Sequence, residues 1–260
     1  EHQLISVLPT HSDLKLIASP EFAVNLVWVS YAYAGWNSSV YVVGEIVQPE
    51  KNIFRSIFIG TIIVTLLYIA LNFVFLYVTP MNELIGRVEV GYLSGVHLFG
   101  TKLATVVSLC IGLLLISTVS SYIYIGPRIV QAIGKDYDRL RILSKTDSQG
   151  IPYNAFILQL FISLLFVFTS SFEQVLMYTG ITLIITSTIT VCSLFYLRYK
   201  EPDLVRPYNV WGYPWTSLFF VLLNSWVLYY TFRLQTLESI IGLGLMAISF
   251  GLYFIIKKDK

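Results

Sequence analysis

Tyr31-Ala32-Tyr33-Ala34-Gly35-Trp36-Asn37 interrupts a segment that is otherwise apolar, running from Phe22-Ala23-Val24-Asn25-Leu26-Val27-Trp28-Val29 to Val40-Tyr41-Val42-Val43. Gly costs about 1 kcal/mol relative to Ala inside a helix, and here Gly35 is followed by the polar run Trp36-Asn37-Ser38-Ser39. A helix facing lipid gains nothing from such residues at mid-depth. Loosened backbone is tolerated there only where protein or a water-filled cavity covers it. The stretch therefore reads as a place where the helix unwinds. The half ending near Ala34 would present carbonyls, which are partly negative. The half starting after Asn37 would present N–H groups, with Asn37 or Ser38 as N-cap. A packing role is the alternative, with Gly35 as a notch and Asn37 as an interhelical hydrogen bond. Spacing alone leaves both open.

Composition sets the class. Of 260 residues, 56% are hydrophobic and only 12% charged, against about 25% charged in a soluble domain. With a mean hydropathy of +0.71, the chain is an integral membrane protein before any motif is considered. Cys110 and Cys192 both fall in apolar segments, where they act as small hydrophobes, and neither disulfide nor metal spacing exists. His2, His11 and His97 are scattered, so neither a metal nor a cofactor is expected. The chain starts at Glu1 without a positive-then-apolar leader, and it reads as the C-terminal part of a longer one.

A span needs about 20 apolar residues. Seven segments qualify or nearly do, at about 22–45, 53–79, 98–126, 154–171, 175–197, 214–232 and 238–256. The fourth is short, with Pro152 suited to its start and Ser170-Ser171 to a tight turn after it. Tyr77, Tyr92, Trp211, Tyr213, Trp215 and Tyr253 cluster at span ends, as interfacial aromatics do. Thirteen of the 17 Lys and Arg residues lie on one set of ends, from Lys51 and Arg55 to Lys257, Lys258 and Lys260. Only Lys15, Arg87, Lys102 and Arg233 lie on the other. The positive-inside rule then places the C-terminus in the cytoplasm and residues 1–20 outside.

Seven spans with an outside N-terminus fit a seven-helix receptor or sensor as well as part of a transporter. The last span holds no buried lysine for a retinal Schiff base, and no signalling motif is evident. An intramembrane enzyme would need paired Asp, a Ser/His pair or a metal cluster, and the spans carry none. No Asp, Glu, Lys, Arg or His lies deep in any span, whereas proton relays are built from such residues. Glu45 stands at a cytoplasmic helix end, where it reads as a cap or loop ion pair, with a coupling role as the alternative. A broken helix at mid-membrane is the feature by which a transporter's substrate site is located.

The run 31–37, followed by Gly44-Glu45-Ile46 and Pro49-Glu50-Lys51-Asn52-Ile53, resembles the sixth transmembrane helix and following loop of amino acid permeases. These belong to the amino acid–polyamine–organocation superfamily, and the resemblance is to L-type, light-chain-like members. Gly44 replaces one of a usual acidic pair, and Gln48 stands where Asn often precedes the Pro. Gly126-Pro127-Arg128, with Ala132 and Lys135-Asp136, resembles the close of helix eight in the same permeases. Arg206-Pro207-Tyr208 and Gly212-Tyr213-Pro214-Trp215 resemble the stretch before helix eleven.

The resemblance implies an all-α membrane fold of seven transmembrane helices, six to twelve of twelve. It forms the second half of a leucine-transporter-like five-plus-five inverted repeat plus two C-terminal helices. Residues 1–20 would be an outside loop. Residues 21–200 would be the second repeat unit, and 201–260 a cytoplasmic loop with helices eleven and twelve. The implied activity is secondary active amino acid transport by alternating access, as symporter or antiporter, in the plasma (inner) membrane.

The implied substrate site is Tyr31, Ala32, Tyr33, Ala34, Gly35, Trp36 and Asn37. The carbonyls of Tyr31 and Ala34 would hold the substrate ammonium, Tyr31 would act as lid, and Asn37 would touch substrate or bridge to helix one. Trp36 would pack on the neighbouring bundle.

Ser117, Ser120, Ser121 and Tyr124 share one helical face and line either the pathway or a packing seam. By motif position the sodium-ligand sites of sodium-coupled relatives fall on Val119 and Ser120, and valine cannot ligate sodium through its side chain. Thr179, Thr182, Thr186, Thr190 and Ser193 form a second stripe with the same two readings. Expected partners are an amino acid, the bilayer, helices one to five of the same protein, and a coupling proton or exchanged amino acid. Nucleic acid is not among them. An uncharged site favours neutral amino acids.

On this reading, residues 1–260 alone show no uptake in proteoliposomes while the full-length protein exchanges neutral amino acids. Robust uptake by the 260 residues would refute it.

Overall fold

A computed structural model describes residues 10–37, 43, 46–169, 171–206 and 208–257. Among these the regular structure is helical: α1 (His11–Ile17), α2 (Pro20–Ala32), α3 (Pro49–Val78), α4 (Met81–Leu84), α5 (Val90–Asp136), α6 (Arg141–Ser144), α7 (Tyr153–Thr169), α8 (Phe172–Lys200), α9 (Trp215–Leu234) and α10 (Thr236–Lys257). Short 3-10 turns cover Ala34–Asn37 and Asp138–Leu140. Five helices, α3, α5, α8, α9 and α10, are long and apolar enough to cross a membrane. The 17-residue α7 is a shorter apolar helix. The seventh expected span is the interrupted one, and α2 is its described part.

Large apolar side chains along α3 are exposed almost throughout, Phe58, Ile63, Leu66 and Ile69 among them. That surface suits lipid, because a span needs apolar cover on its outer face rather than a polar one.

The chain divides into two compact units. In the unit spanning Phe54–Gly126 the expected third span, 98–126, is extended and then reversed. Gly100 adopts φ 76°, ψ 168° inside α5, a conformation open to Gly because it lacks Cβ. Residues 90–99 thereby fold back on those after Gly100. A Cβ on Gly95 would lie 3.3 Å from the Ala104 Cβ, and one on Gly91 3.0 Å from the Ile111 side chain. The fold-back is tied to α3 by a buried hydroxyl pair, Thr79 Oγ1 to Ser94 Oγ at 2.8 Å. His97 Nε2 meets Glu83 Oε2 at 2.9 Å.

The unit comprising Thr10–Ile53 and Pro127–Lys260 is organised around α2, α8, α9 and α10. Helix α1 opens at Thr10, whose N–H and hydroxyl both donate to Asp13 at 2.7 Å. Those two bonds hold the Asp13 carboxyl below its ordinary value. Helix α2 starts where Ser19 Oγ accepts the Phe22 N–H and Pro20 sits in the first turn. Its inner side forms one cluster with α8 and α9: Val24, Val27, Met177, Ile181, Ile184 and Val227.

Small residues set the spacing. A Cβ on Gly180 would fall 2.8 Å from Val27 Cγ1, and one on Gly242 3.1 Å from the Tyr178 carbonyl oxygen. Helix α8 thus accepts α2 on one side and α10 on another because both contacts lack a side chain. Ser171 begins α8 with a reciprocal cap, its hydroxyl accepting from Gln174 N–H and its own N–H donating to the Gln174 side chain.

The two later family-like motifs hold the ends of this unit. A Cβ on Gly134 would sit 2.8 Å from the Ser144 nitrogen and 2.9 Å from the Leu140 oxygen, so the loop after α5 lies directly on it. Arg139 donates to the Ile255 carbonyl at 2.7 Å and Asn154 to that of Ile142 at 2.8 Å. Arg206 donates to the carbonyls of Glu201, Pro202 and Leu204. The Arg198 guanidinium stacks 3.7 Å over Tyr213, at a distance favourable for cation–π attraction. Pro207 of that motif, and Ser170 of the expected turn, lie outside the described residues.

Gly180→Val should destabilise the protein by about 1–3 kcal/mol through overpacking against Val27, read as a lower midpoint of thermal unfolding in detergent. Adding Val27→Ala should recover part of the loss. An unchanged midpoint in Gly180→Val would contradict the close approach.

Candidate functional site

Helix α2 ends at Ala32, with Tyr33 as C-cap donating its N–H to the Ser30 carbonyl at 3.2 Å. The chain then tightens into a 3-10 turn over Ala34–Asn37, in which Trp36 N–H donates to the Tyr33 carbonyl at 3.2 Å. The α-helix stops three residues before Gly35, and Gly35 itself lies in the turn. A helix C-terminus carries a partial negative charge from its last carbonyls. It therefore suits a cation or a hydrogen-bond donor.

Gly35 is open: a Cβ built there meets nothing within 4 Å. Among the described residues no helix packs against it at that position. Tyr31 is exposed and reaches toward α8, with its Cδ2 3.9 Å from where a Gly180 Cβ would stand. Trp36 is likewise exposed, and Tyr33 and Ala34 are half-buried. The side chain of Asn37, residues Ser38 and Ser39, and Gly44-Glu45 lie outside the described residues. The expected second half-helix falls there too.

Beside the turn, α2, α8 and α9 border an open-sided cavity of about 310 Å³ whose lining includes Ser30, Tyr33, Trp36, Ser187, Asn224 and Val227. Among the described residues its walls carry no charged side chain.

Thr179 and Thr182 do not join this cavity. With Thr186 they line a cleft of about 490 Å³ shared with Met246, Ser249, Phe250 and Tyr253 of α10. Their hydroxyls are spent on their own helix: Thr179 donates to the Val175 carbonyl, Thr182 to Tyr178 and Thr186 to Thr182. Ser120 and Ser121, in the other unit, donate to the carbonyls of Ile116 and Ser117 in the same way. Among the described residues no cluster of His, Cys, Asp or Glu is arranged to hold a metal.

Sequence reasoning passed over Gly180 and Asn224. The first is a lone glycine in an apolar span. The second is a lone amide in the middle of another.

The chain matches the family described as "Amino acid permease" over residues 7–253. It belongs to that family. Similar proteins include the Large neutral amino acids transporter small subunit 2 of Mus musculus, 28% identical over 231 residues, covering 87% of this chain and 42% of that protein. The b(0,+)-type amino acid transporter 1 of Mus musculus is 24% identical, covering 69% of this chain and 37% of that protein. The Cystine/glutamate transporter of Pongo abelii is 26% identical, covering 69% and 36% respectively. The chain thus spans less than half the length of these relatives. Family membership and the helical, membrane-length architecture agree with the fold class read from the motifs.

Proposed function

We propose that these residues form part of a secondary active transporter, a symporter or exchanger that moves neutral amino acids across the membrane by alternating access. The observation that carries the reading is the end of α2 at Ala32 followed by the turn through Gly35, inside the motif that first suggested it. A half-helix ending at membrane depth is how this kind of transporter presents carbonyls to a cationic group.

In this reading the ammonium of the amino acid docks at the carbonyls of Tyr31 and Ala34, with Tyr31 as lid and Asn37 contacting substrate or a neighbouring helix. The substrate carboxylate docks on helices one to five of the family fold. Residues 21–200 form the second repeat unit and 201–260 the two further helices, with residues 1–20 outside. The open space at Gly35 is room for substrate backbone.

The run Tyr31–Asn37 carries no charged side chain, which supports neutral amino acids. The relatives' printed names include both a neutral and a cystine/glutamate transporter, so the absence of charge in that run is the discriminating feature. The spans carry no deep ionisable side chain, so either the protein exchanges one amino acid for another, or a coupling proton titrates a group on helices one to five of the family fold. The Lys and Arg distribution supports a cytoplasmic C-terminus, and the membrane of this reading is the plasma (inner) membrane. The named relatives are transporters and not enzymes or receptors, and no observation favours the receptor alternative.

The test is exchange of radiolabelled leucine by the full-length protein in proteoliposomes. Gly35→Val should cut exchange by at least about tenfold with the yield of folded protein unchanged, because the site has room for the side chain. The 2-hydroxy analogue of leucine, which lacks the ammonium, should fail to compete. Competition equal to that of leucine would contradict the carbonyl–ammonium contact.

A further inference from the structure

The cavity beside the turn holds an arrangement found in neither of the other polar stripes. Asn224 lies mid-way along α9 and is 8% exposed, so it is more than nine-tenths buried. It borders the cavity, and among the described residues its side-chain amide has no hydrogen-bond partner. The amide opens onto the cavity, and at membrane depth a polar group gains by pairing with whatever occupies that space.

Two further hydroxyls, Ser30 of α2 and Ser187 of α8, border the same space. Neither has a side-chain partner among the described residues. The contrast with the threonines of α8 is direct, since Thr179, Thr182, Thr186, Thr188 and Thr190 each donate to a carbonyl of their own helix. Three elements therefore each turn one neutral polar group toward one cavity, and the remaining walls are apolar or aromatic.

We propose that this cavity is a binding site for a neutral amphipathic molecule, an apolar body carrying one hydroxyl. The hydroxyl pairs with Asn224 and with the serine hydroxyls, while the body packs between Tyr33, Trp36 and Val227.

The chemistry follows from the lining. An amide offers two donors and an acceptor, so it pairs with a group that both donates and accepts, as a hydroxyl does. A charged ligand would find no counter-charge and is excluded by desolvation. A volume of about 310 Å³ is at the lower end of ligand pockets, which run from about 300 to 1,000 Å³. It admits a medium-chain alcohol or one end of a sterol, and not a whole phospholipid. The site is separate from the carbonyl end of α2 but shares Tyr33 and Trp36 with the turn, so its occupant rests on the segment that ends the helix. Its existence does not depend on transport.

The full-length protein is placed in phosphatidylcholine nanodiscs and photolabelled with a diazirine analogue of octanol, and labelled peptides are mapped by mass spectrometry. A parallel arm uses a diazirine sterol. Label is expected on peptides containing Ser30–Trp36, Ser187 or Asn224, saturable and displaced by unlabelled octanol. The arm that labels at lower concentration identifies an aqueous alcohol or a membrane sterol as the source, and either result upholds the site.

Asn224→Leu should weaken this labelling by about tenfold, the loss expected for one hydrogen bond, while label on the lipid-facing α3 stays the same. The Ser30→Ala, Ser187→Ala double variant, which keeps the shape of the cavity, guards against misfolding of the first and should lower labelling in the same direction. Labelling that does not saturate, or that is unaltered in both variants, would overturn the proposal.

Discussion

Inside a bilayer every backbone polar group must find a partner within the protein or in water that the protein encloses. The rest of this structure depends on that constraint, because α2 stops at Ala32 in a stretch apolar enough to lie within the membrane. A helix end there leaves carbonyls with no intrahelical donor. The 3-10 turn over Ala34–Asn37 satisfies part of the demand by i→i+3 bonding, as the Trp36 to Tyr33 bond shows. The Tyr33 N–H reaches the carbonyls of Ser30 and Tyr31, so the end of the helix is a polar turn in an apolar setting.

The helices around it serve to hold that edge still. Gly180 lets α8 approach Val27 closely enough for Val24, Ile181, Ile184 and Val227 to form one cluster. In lipid there is little hydrophobic gain from bringing helices together, so close packing of small residues supplies the attraction. Farther along, Gly242 gives α10 the same access to the backbone of α8. At the opposite end Arg206 gathers three carbonyls and Arg198 stacks on Tyr213, so the connection between α8 and α9 is fixed by the motif residues themselves.

The positions of the helices were largely legible because apolar length is a strong signal and Lys and Arg mark the connections. The break was legible to within a few residues. The half-helix was expected to end near Ala34 and ends two residues earlier, at Ala32, since capping by Tyr33 needs no glycine. The fold-back at Gly100 was not legible: a glycine near a span boundary looks the same whether it ends a helix or reverses it. The threonine stripe of α8 is real, but its hydroxyls are satisfied internally and it faces α10. One-dimensional periodicity finds a stripe and cannot say which neighbour it meets. Gly180 and Asn224 were missed for a related reason, because a single small or polar residue in a span acquires meaning only from what lies opposite.

The central claim is that backbone at 33–37 is open to water at membrane depth. Hydrogen–deuterium exchange of the full-length protein in nanodiscs tests it directly. The amides from Tyr33 to Asn37 should exchange at the shortest labelling times, while those in the middle of α3 stay protected for hours, and a bound neutral amino acid should slow the former. Protection of 33–37 equal to that of α3 would mean a continuous, lipid-sealed helix and would contradict the account.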